Sequence, residues 1–269
     1  MTALTSARPD PSVLQQWWVL TVRLVAPTLR SGEVAVAVGA SAAVTASFYI
    51  PLHKLLDGPD LGASSYAQFL MPLIVLQAIS FASISTAFRA ATDSVKGINR
   101  RFQAMPIGWA NPLAARVTAS VYRSAIGLMV ALLCGYAIGF RFHRSALYVA
   151  AFCLLVLFTG MALAFIGDVV GTASGNPAAT AQWLLLPQLV FGLLSVGIQP
   201  AHRFPEWIQP VVRNQPISQI IYALRALAGD TTPGAAAVSW SVVGPAVAWV
   251  VGLVAVTVPL AVKVYRKGR

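Results

Sequence analysis

The sequence contains little charge. Only 10% of its 269 residues are charged and 57% are hydrophobic, and its mean hydropathy is +0.72. A soluble domain carries about 25% charged residues, so this chain could not keep its apolar surface away from water outside a bilayer. The composition therefore predicts an integral membrane protein, and we expect no nucleic-acid partner despite the formal net charge of +11.

Residues that perform catalysis or hold metals are also scarce. The three histidines, His53, His143 and His202, are scattered along the chain, and Cys134 and Cys153 have a spacing that fits no metal motif. An intramembrane hydrolase or transferase requires clustered carboxylates, His–Asp pairs or metal-ligand spacings. We therefore predict no catalytic residue and no metal site, so the chain is not expected to be an enzyme.

Ionisable residues at membrane depth, which ion-coupled transporters need, are nearly missing as well. The predicted spans contain only Arg123 and Asp168, both near cytoplasmic ends. Snorkelling to the membrane surface accounts for Arg123, and Asp168 is predicted to open a loop that continues to Gln182. The chain also lacks the G-x-x-x-x-G-K-[S/T] phosphate cradle, so ATP-powered transport would require another subunit.

What the sequence does have is long uncharged runs. A helix needs about 20 apolar residues to cross a hydrocarbon core about 30 Å thick. Two candidate spans have charged residues close by or inside. Val34–Leu52 is flanked by Glu33 and Lys54, and Val117–Phe140 contains Arg123 but is uncharged from Ser124 onward. Four more runs contain no charged residue: Tyr66–Phe88, Ser145–Gly167, Ala178–Ile198 and Ala235–Val262. The sequence thus predicts an all-α, polytopic membrane protein with six transmembrane helices within residues 34–262.

The distribution of basic residues predicts the orientation, because cytoplasmic loops retain Lys and Arg. With the N-terminus inside, thirteen of the nineteen basic residues face the cytoplasm, including those in the basic tail, residues 263–269. The loop from Asp168 to Gln182 is an exception, since it has no basic residue. We expect a multi-pass protein of the cytoplasmic (inner) membrane with both termini cytoplasmic.

Residues 1–33 contain an amphipathic pattern. Arg23 and Arg30 lie seven residues apart, whereas apolar residues recur on another face at spacings of three and four: Leu14, Trp17, Trp18, Val22, Val25 and Leu29. The pattern predicts a cytoplasmic helix in the inner-leaflet headgroups, with Trp17 and Trp18 at the interface. A cytosolic helix packed on a partner protein fits the same periodicity.

The cytoplasmic loop of residues 89–116 contains a second segment of interest. Residues 92–106 begin with a plausible N-cap at Thr92, stay basic and end at Pro106, which predicts a short cytoplasmic helix. A positively charged loop that only fixes topology would explain the charges. It explains less readily the apolar Phe102 and Met105 set among them.

Motifs in this loop resemble those of ABC-2-type exporter permeases. Asp93, Gly97, Phe102 and the pair Pro106-Ile107 follow the pattern of that family's coupling helix, in which the acidic residue is often Glu. A second likeness concerns residues 199–230, which resemble the family's outer re-entrant segment through the stretches Phe204–Pro210, Asn214–Ser218 and Ala223–Leu227. More narrowly, the stretches Phe88–Asp93, Asn99–Gln103 and Arg213–Gln219 resemble the daunorubicin-resistance-type permeases.

The resemblance implies the type V exporter fold, in which a six-helix permease pairs with itself or a sister permease and with two copies of an ABC ATPase. This chain would bind no cofactor itself, and ATP and Mg would enter through the ATPase. The implied ATPase-coupling residues are Asp93, Gly97, Arg100, Arg101, Phe102 and Pro106. Trp17, Trp18, Arg23 and Arg30 would form the interfacial helix. The implied outer segment residues are Pro205, Trp207, Asn214, Pro216 and Arg225.

The expected cargo is lipophilic, either an envelope lipid or a hydrophobic drug, because an uncharged path offers a charged solute no partner to replace its hydration. The daunorubicin-resistance-type group includes permeases associated with antibiotic resistance and with export of phthiocerol dimycocerosate lipids. Membrane lipids are therefore expected partners. Two alternatives stay open at this point: an ion-coupled multidrug carrier and an integral-membrane lipid-modifying enzyme.

Overall fold

The computed structural model describes residues 12–30, 39, 42–51, 66–98, 101, 110–230 and 237–267. Within these ranges every regular element is a helix and no strand occurs. The helices are α1 (Val13–Arg30), α2 (Ala42–Pro51), α3 (Tyr66–Val95), α4 (Ala110–Ala137), α5 (Ala146–Ala173), α6 (Pro177–Leu193), a 3-10 turn (Ala201–Arg203), α7 (Gln209–Asn214), α8 (Pro216–Ala228) and α9 (Trp240–Lys267).

Helix α3 forms the centre of the bundle. It is buried over most of its length, and α4, α5 and α6 pack around it. The packing against α5 is the most extensive, because small residues let the two backbones approach closely. A Cβ atom added at Gly167 of α5 would lie 2.8 Å from the carbonyl oxygen of Ser83 in α3. Larger residues at this position would therefore separate the two central helices.

Four of the helices are long and apolar enough to cross a membrane: Tyr66–Val95, Asn111–Ala137, Ala146–Ala173 and Trp240–Val264. They coincide with four of the six predicted spans, and the chain is a multi-pass membrane protein. The described residues of the predicted first span are Gly39 and those of the short apolar helix α2. The predicted fifth span corresponds to α6, which has 17 residues. The count of six spans stays a prediction.

The predicted boundary at Asp168 is wrong. Helix α5 continues through Asp168 to Ala173, and the turn follows at Ser174–Asn176. Asn176 caps the next helix by accepting a hydrogen bond from the backbone N–H of Ala179 at 3.1 Å, with Pro177 in the first turn. Asp168 stays helical because an arginine from another helix neutralises its carboxylate, as described below.

Helices α6 and α9 lie at the periphery and keep large apolar side chains exposed. On α6 these include Trp183, Leu186 and Leu189, and on α9 they include Trp249 and Val256. Such surfaces are stable against hydrocarbon or against another apolar protein surface.

Candidate functional site

The C-terminal ends of α3 and α5 and the N-terminal end of α4, which the predicted orientation puts on the cytoplasmic side, meet in an ionic cluster, defined here as Asp93, Arg116 and Asp168. The Arg116 Nη1 atom donates to Oδ1 of Asp168 at 2.8 Å, and its Nη2 atom donates to Oδ2 of Asp93 at 3.1 Å. The side chains of Arg116 and Asp168 are only 7% and 5% exposed, whereas that of Asp93 is 22% exposed. One guanidinium thus joins two carboxylates from two different helices.

Each member of the cluster sits within the first or last two turns of its helix. Arg116 is in the second turn of α4, Asp93 is in the last turn of α3, and Asp168 is five residues before the end of α5. A guanidinium is suited to this position because its planar fork can serve two acceptors at once. Next to the cluster, Ser94 Oγ donates to the carbonyl oxygen of Thr172 at 3.1 Å and also joins α3 to α5.

A second buried arginine lies deeper in the bundle. Arg123 follows Arg116 by seven residues, about 10 Å along α4. It is 8% exposed, and its Nη2 atom donates to Thr86 Oγ1 at 3.1 Å. In the structure its Nε and Nη1 atoms have no hydrogen-bond partner among the described residues. The prediction that Arg123 snorkels to the surface is wrong, because its side chain is enclosed by the bundle.

Arg123 also interacts electrostatically with charged groups in and near the ionic cluster. It interacts favourably with Asp168 and unfavourably with Arg89, and Arg89 in turn interacts favourably with Asp93. A small cavity between α3, α4 and α5 lies beside these groups and is lined by Thr86, Leu113, Arg116, Val117, Ser120, Ala164, Phe165 and Asp168. The polar end of the bundle therefore extends from the C-terminal end of α3 to the level of Thr86.

Helix α1 packs along α4 beside the ionic cluster. Trp17 Nε1 donates to Thr118 Oγ1 at 3.3 Å, and Asn111 Nδ2 donates to Gln16 Oε1 at 2.8 Å. Trp18 on the other face is exposed. Exposed Arg23 lines a recess beside the cluster, together with Leu20, Leu24, Asp93, Pro112, Ala115 and Arg116. Arg30 is the last residue of α1, and its side chain lies outside the described residues.

The predicted coupling residues are only partly within the described chain. Arg100, Phe102 and Pro106 lie outside it, and Arg101 is exposed. Gly97 has a φ of +67°, a left-handed conformation that favours glycine, at the turn after α3. These placements leave the roles of the loop residues as predictions.

The predicted N-cap at Thr92 is wrong. Helix α3 continues past this residue to Val95, and Thr92 Oγ1 donates to the carbonyl oxygen of Phe88 at 2.8 Å, an intrahelical bond. Asp93 therefore belongs to the last turn of α3, where its carboxylate meets Arg116. A separate helix in this segment can therefore begin only after Gly97.

At the other end of the bundle, Arg225 of α8 is buried against α3. Its Nε and Nη2 atoms donate to the carbonyl oxygen of Phe69 at 3.1 and 3.0 Å, and Nη2 also donates to that of Val196 at 2.7 Å. The guanidinium lies 3.5 Å from the centre of the Phe69 ring. Burial lowers the pKa of Arg225 to about 10, with Asp230 opposing the shift, so the group stays charged at neutral pH.

The other predicted residues of the outer segment divide into packed and exposed ones. Pro216 begins α8, after Gln215, whose Nε2 atom donates to the carbonyl oxygen of Leu194 at 2.6 Å. Asn214 is exposed and bonds within its own helix, Pro205 is exposed, and Trp207 is 79% exposed. The structure therefore brings the region around Arg225 into the core and leaves the tip of the segment uncovered.

Sequence reasoning missed Arg116, which it counted only as a topology-setting charge. A signal was present, because Arg116 and Arg123 recur at seven residues and so share a face of α4. Among the described residues, no group of three or more His, Cys, Asp and Glu side chains could hold a metal ion. Cys134 and Cys153 are free thiols.

Comparison with known proteins gives a consistent picture. The profile of the family described as "ABC-2 family transporter protein" matches residues 37–263. A doxorubicin resistance ABC transporter permease protein of Mycobacterium tuberculosis is 51% identical over 94% of this chain and 92% of its own length. A daunorubicin resistance ABC transporter permease protein of Streptomyces coeruleorubidus is 28% identical over 75% of this chain and 69% of its own. A probable doxorubicin resistance permease protein of M. tuberculosis is 28% identical over 59% and 57%.

Proposed function

This chain belongs to the ABC-2 family of transporter proteins, and from that premise we propose that it is the transmembrane permease subunit of an ATP-driven exporter. The observation that carries the proposal is the 51% identity, along almost the whole chain, to a permease named for doxorubicin resistance. The multi-pass architecture supports it, and so does the lack of a phosphate cradle in the sequence. ATP and Mg would be bound by a partner ATPase.

The proposed ATPase contact is the cytoplasmic loop of residues 89–116. Within this range Asp93 still belongs to α3 and Arg116 already belongs to α4, so their ion pair joins the two helices that flank the connecting segment, and Gly97 supplies the turn after α3. Phe102 would insert into the ATPase as an apolar anchor, with Arg100 and Arg101 around it, since a buried anchor rimmed by charge is typical of protein interfaces. Two ATPase copies would each drive one permease.

The permease would act as a dimer with a second copy or a sister subunit. The exposed apolar surfaces of α6 and α9 support a partner or lipid on that side of the bundle. In the proposed arrangement, residues 1–33 form an interfacial segment, residues 34–262 form six spans, residues 199–230 form the outer re-entrant segment, and residues 263–269 form a cytoplasmic tail in the inner membrane.

The proposed cargo is a lipophilic or amphiphilic molecule, either a drug of the anthracycline kind or an envelope lipid. The named activities of the relatives support the drug, since doxorubicin and daunorubicin appear in their descriptions. The apolar character of the spans supports either cargo, because an ion or sugar would lose its hydration without finding partners. Export from the inner leaflet would follow from the cytoplasmic position of the ATPase contact.

Transport in inverted membrane vesicles tests the proposal. The chain would be co-expressed with the ATPase that copurifies with it, and uptake of doxorubicin would be followed by its fluorescence. We expect uptake that requires ATP and Mg, persists with an uncoupler and stops with an ATPase inactivated in its phosphate cradle. Uptake that follows a proton or sodium gradient without ATP would instead support the ion-coupled carrier.

The envelope lipid cargo requires a second measurement. Deletion of the gene is expected to lower a surface lipid or to raise sensitivity to doxorubicin, and mass spectrometry of extracted lipids distinguishes the two. Turnover of a lipid by the purified chain alone would favour the lipid-modifying enzyme. Unchanged lipids together with unchanged drug sensitivity would contradict the proposed cargo class.

A further inference from the structure

In the ionic cluster one guanidinium, that of Arg116, donates hydrogen bonds to two carboxylates. Asp93 and Asp168 come from α3 and α5, so the guanidinium is the shared point through which the two helix ends are held. Replacing it by an amine would keep the charge but lose the fork, since a Lys ammonium is a compact point charge. The forked geometry of Arg116, beyond its charge, therefore adds an ionic link between α3 and α5 to their backbone packing and to the Ser94–Thr172 hydrogen bond.

Arg123 offers Asp168 a second position. It lies on the same face of α4, interacts favourably with Asp168, and has two buried donor atoms without a partner among the described residues. Unpaired donors of a buried arginine are costly, so an arrangement that supplies an acceptor is favoured at this site. A shift of α5 along α4 toward Arg123 would supply one.

Asp168 can thus be paired in two arrangements, with Arg116 or with Arg123, and each arrangement contains two of these arginine–carboxylate pairs. With Asp168 on Arg116, one arginine holds two carboxylates and Arg123 holds only Thr86. With Asp168 on Arg123, each arginine would hold one carboxylate. An element with two discrete arrangements of similar energy can be shifted by a modest bias, which is what transmission between distant sites requires.

We infer that Arg116 is a positioning residue that couples the cytoplasmic end of α3 to α5, and that Asp168 exchanges between Arg116 and Arg123 during transport. The inference rests on the proposed function, because the bias would come from the ATPase acting on the segment that follows α3. Movement of α3 would pull on Asp93, change its hold on Arg116 and release Asp168 to the deeper arginine.

The first experiment compares Arg116→Lys with Arg213→Lys, a matched change of an exposed arginine. We expect Arg116→Lys to keep its membrane level and ATP hydrolysis while doxorubicin export per ATP falls about tenfold, as for the loss of one charge-assisted hydrogen bond. Arg213→Lys is expected to match the wild type. Arg116→Lys with wild-type export per ATP, in vesicles where the wild type exports, would overturn the inference and leave the proposed function intact.

A double-mutant cycle tests whether Asp168 acts through Arg116. Asp168→Asn removes the group that moves, so the combination with Arg116→Lys is expected to be no worse for export per ATP than Asp168→Asn alone. Independent, additive losses would contradict the exchange. If the wild type shows no ATP-dependent export at all, the proposed function fails and the inference falls with it.

Cross-linking gives a readout that does not depend on export. Cysteines at Ser94 and Thr172, in a chain with Cys134 and Cys153 replaced by alanine, report the α3–α5 contact. We expect the cross-linking rate to change between ATP-free and vanadate-trapped complexes of the wild type. In Arg123→Gln, which removes the second position, the trapped complex is expected to keep the ATP-free rate. A full change in Arg123→Gln would refute the exchange.

Discussion

Arg116 and Arg225 are buried arginines at opposite ends of the bundle, called here the inner and the outer end after the predicted orientation, and they are held by different kinds of partner. Arg116 binds side-chain carboxylates on two separate helices, and Arg225 binds the backbone carbonyls of Phe69 and Val196. A carboxylate moves with its side chain and its helix. A carbonyl belonging to the central helix is fixed by the fold.

The difference indicates a division of roles along the bundle. The outer end is held rigidly, since Arg225 also lies over the Phe69 ring. Its helix ends at Ala228 and is followed by Gly229, whose φ is +78°. The inner end combines an arginine with two carboxylates and another arginine with unpaired donors. A transporter driven from the cytoplasm needs the adjustable end on the side of the ATPase, which is where the predicted orientation would put Arg116.

The largest expected difference concerns membrane orientation. If the chain were inserted the other way round, the end with Arg116 would face outside and the end with Arg225 would face the cytoplasm. In a chain lacking native cysteines, an impermeant maleimide is expected to label Gln209→Cys in intact cells. It is expected to label Ser94→Cys only after permeabilisation, since the bias of basic residues places the loop inside. Labelling of Ser94→Cys but not Gln209→Cys in intact cells would show that the orientation is reversed.

The largest energetic effect is expected at the outer end. Arg225→Leu would leave the carbonyl oxygens of Phe69 and Val196 without their buried donors, which we expect to destabilise the fold by about 4 kcal/mol. The measurement is thermal loss of monodisperse protein in detergent, with the exposed Arg213→Leu as control. An Arg225→Leu variant as stable as the wild type would show that the contacts of Arg225 with the two carbonyl groups do not hold the outer end in place.

The next effect separates the two carboxylates of the inner end. Asp168→Asn is expected to lower stability by about 3 kcal/mol, because Asp168 is buried and its bond to Arg116 is the shorter one. Asp93→Asn is expected to cost about 1 kcal/mol, since water reaches this side chain. Unfolding of both variants in the same detergent checks the order, and equal losses would show that burial does not set it.

The coupling loop is the third place to test the inner end. Phe102→Ala is expected to weaken ATPase binding by about 2 kcal/mol, the cost of truncating an apolar interface anchor, and Arg100→Ala is expected to have a milder effect. Copurification of the ATPase and export from vesicles measure both, with permease level as the control. Wild-type ATPase binding and export in Phe102→Ala would refute the loop as the contact.

The sequence predicted the helices better than their ends. The uncharged runs Tyr66–Phe88 and Ser145–Gly167 correspond to α3 and α5, because exclusion from water is a local property of composition. Both helices extend past the charge that was taken as a boundary, to Val95 and Ala173. Their extensions contain Asp93 and Asp168, whose shared partner Arg116 is 23 and 52 residues away in sequence. Local patterns do not reveal a neutralising partner at that distance.

The candidate site divides in the same way. Asp93 was found through its motif and Arg225 through the outer segment, but the motif did not indicate that Asp93 pairs with Arg116. The depth of Arg123 was misjudged because a lone basic residue near a helix end commonly snorkels. Its burial depends on α3 and α5 packing on both sides of α4, which is a tertiary property.

The smallest expected effect is at Lys96, which follows the ionic cluster but is exposed. Lys96→Ala is expected to change ATPase binding by less than about 0.5 kcal/mol, because an exposed charge is screened by water and salt. The membrane orientation of the Lys96→Ala variant is expected to match that of the wild type, since twelve basic residues would still favour the cytoplasmic side. Vesicle export and the cysteine labelling pattern test both points. A loss of export as large as that of Phe102→Ala would move the ATPase contact from the apolar anchor to the charged start of the loop.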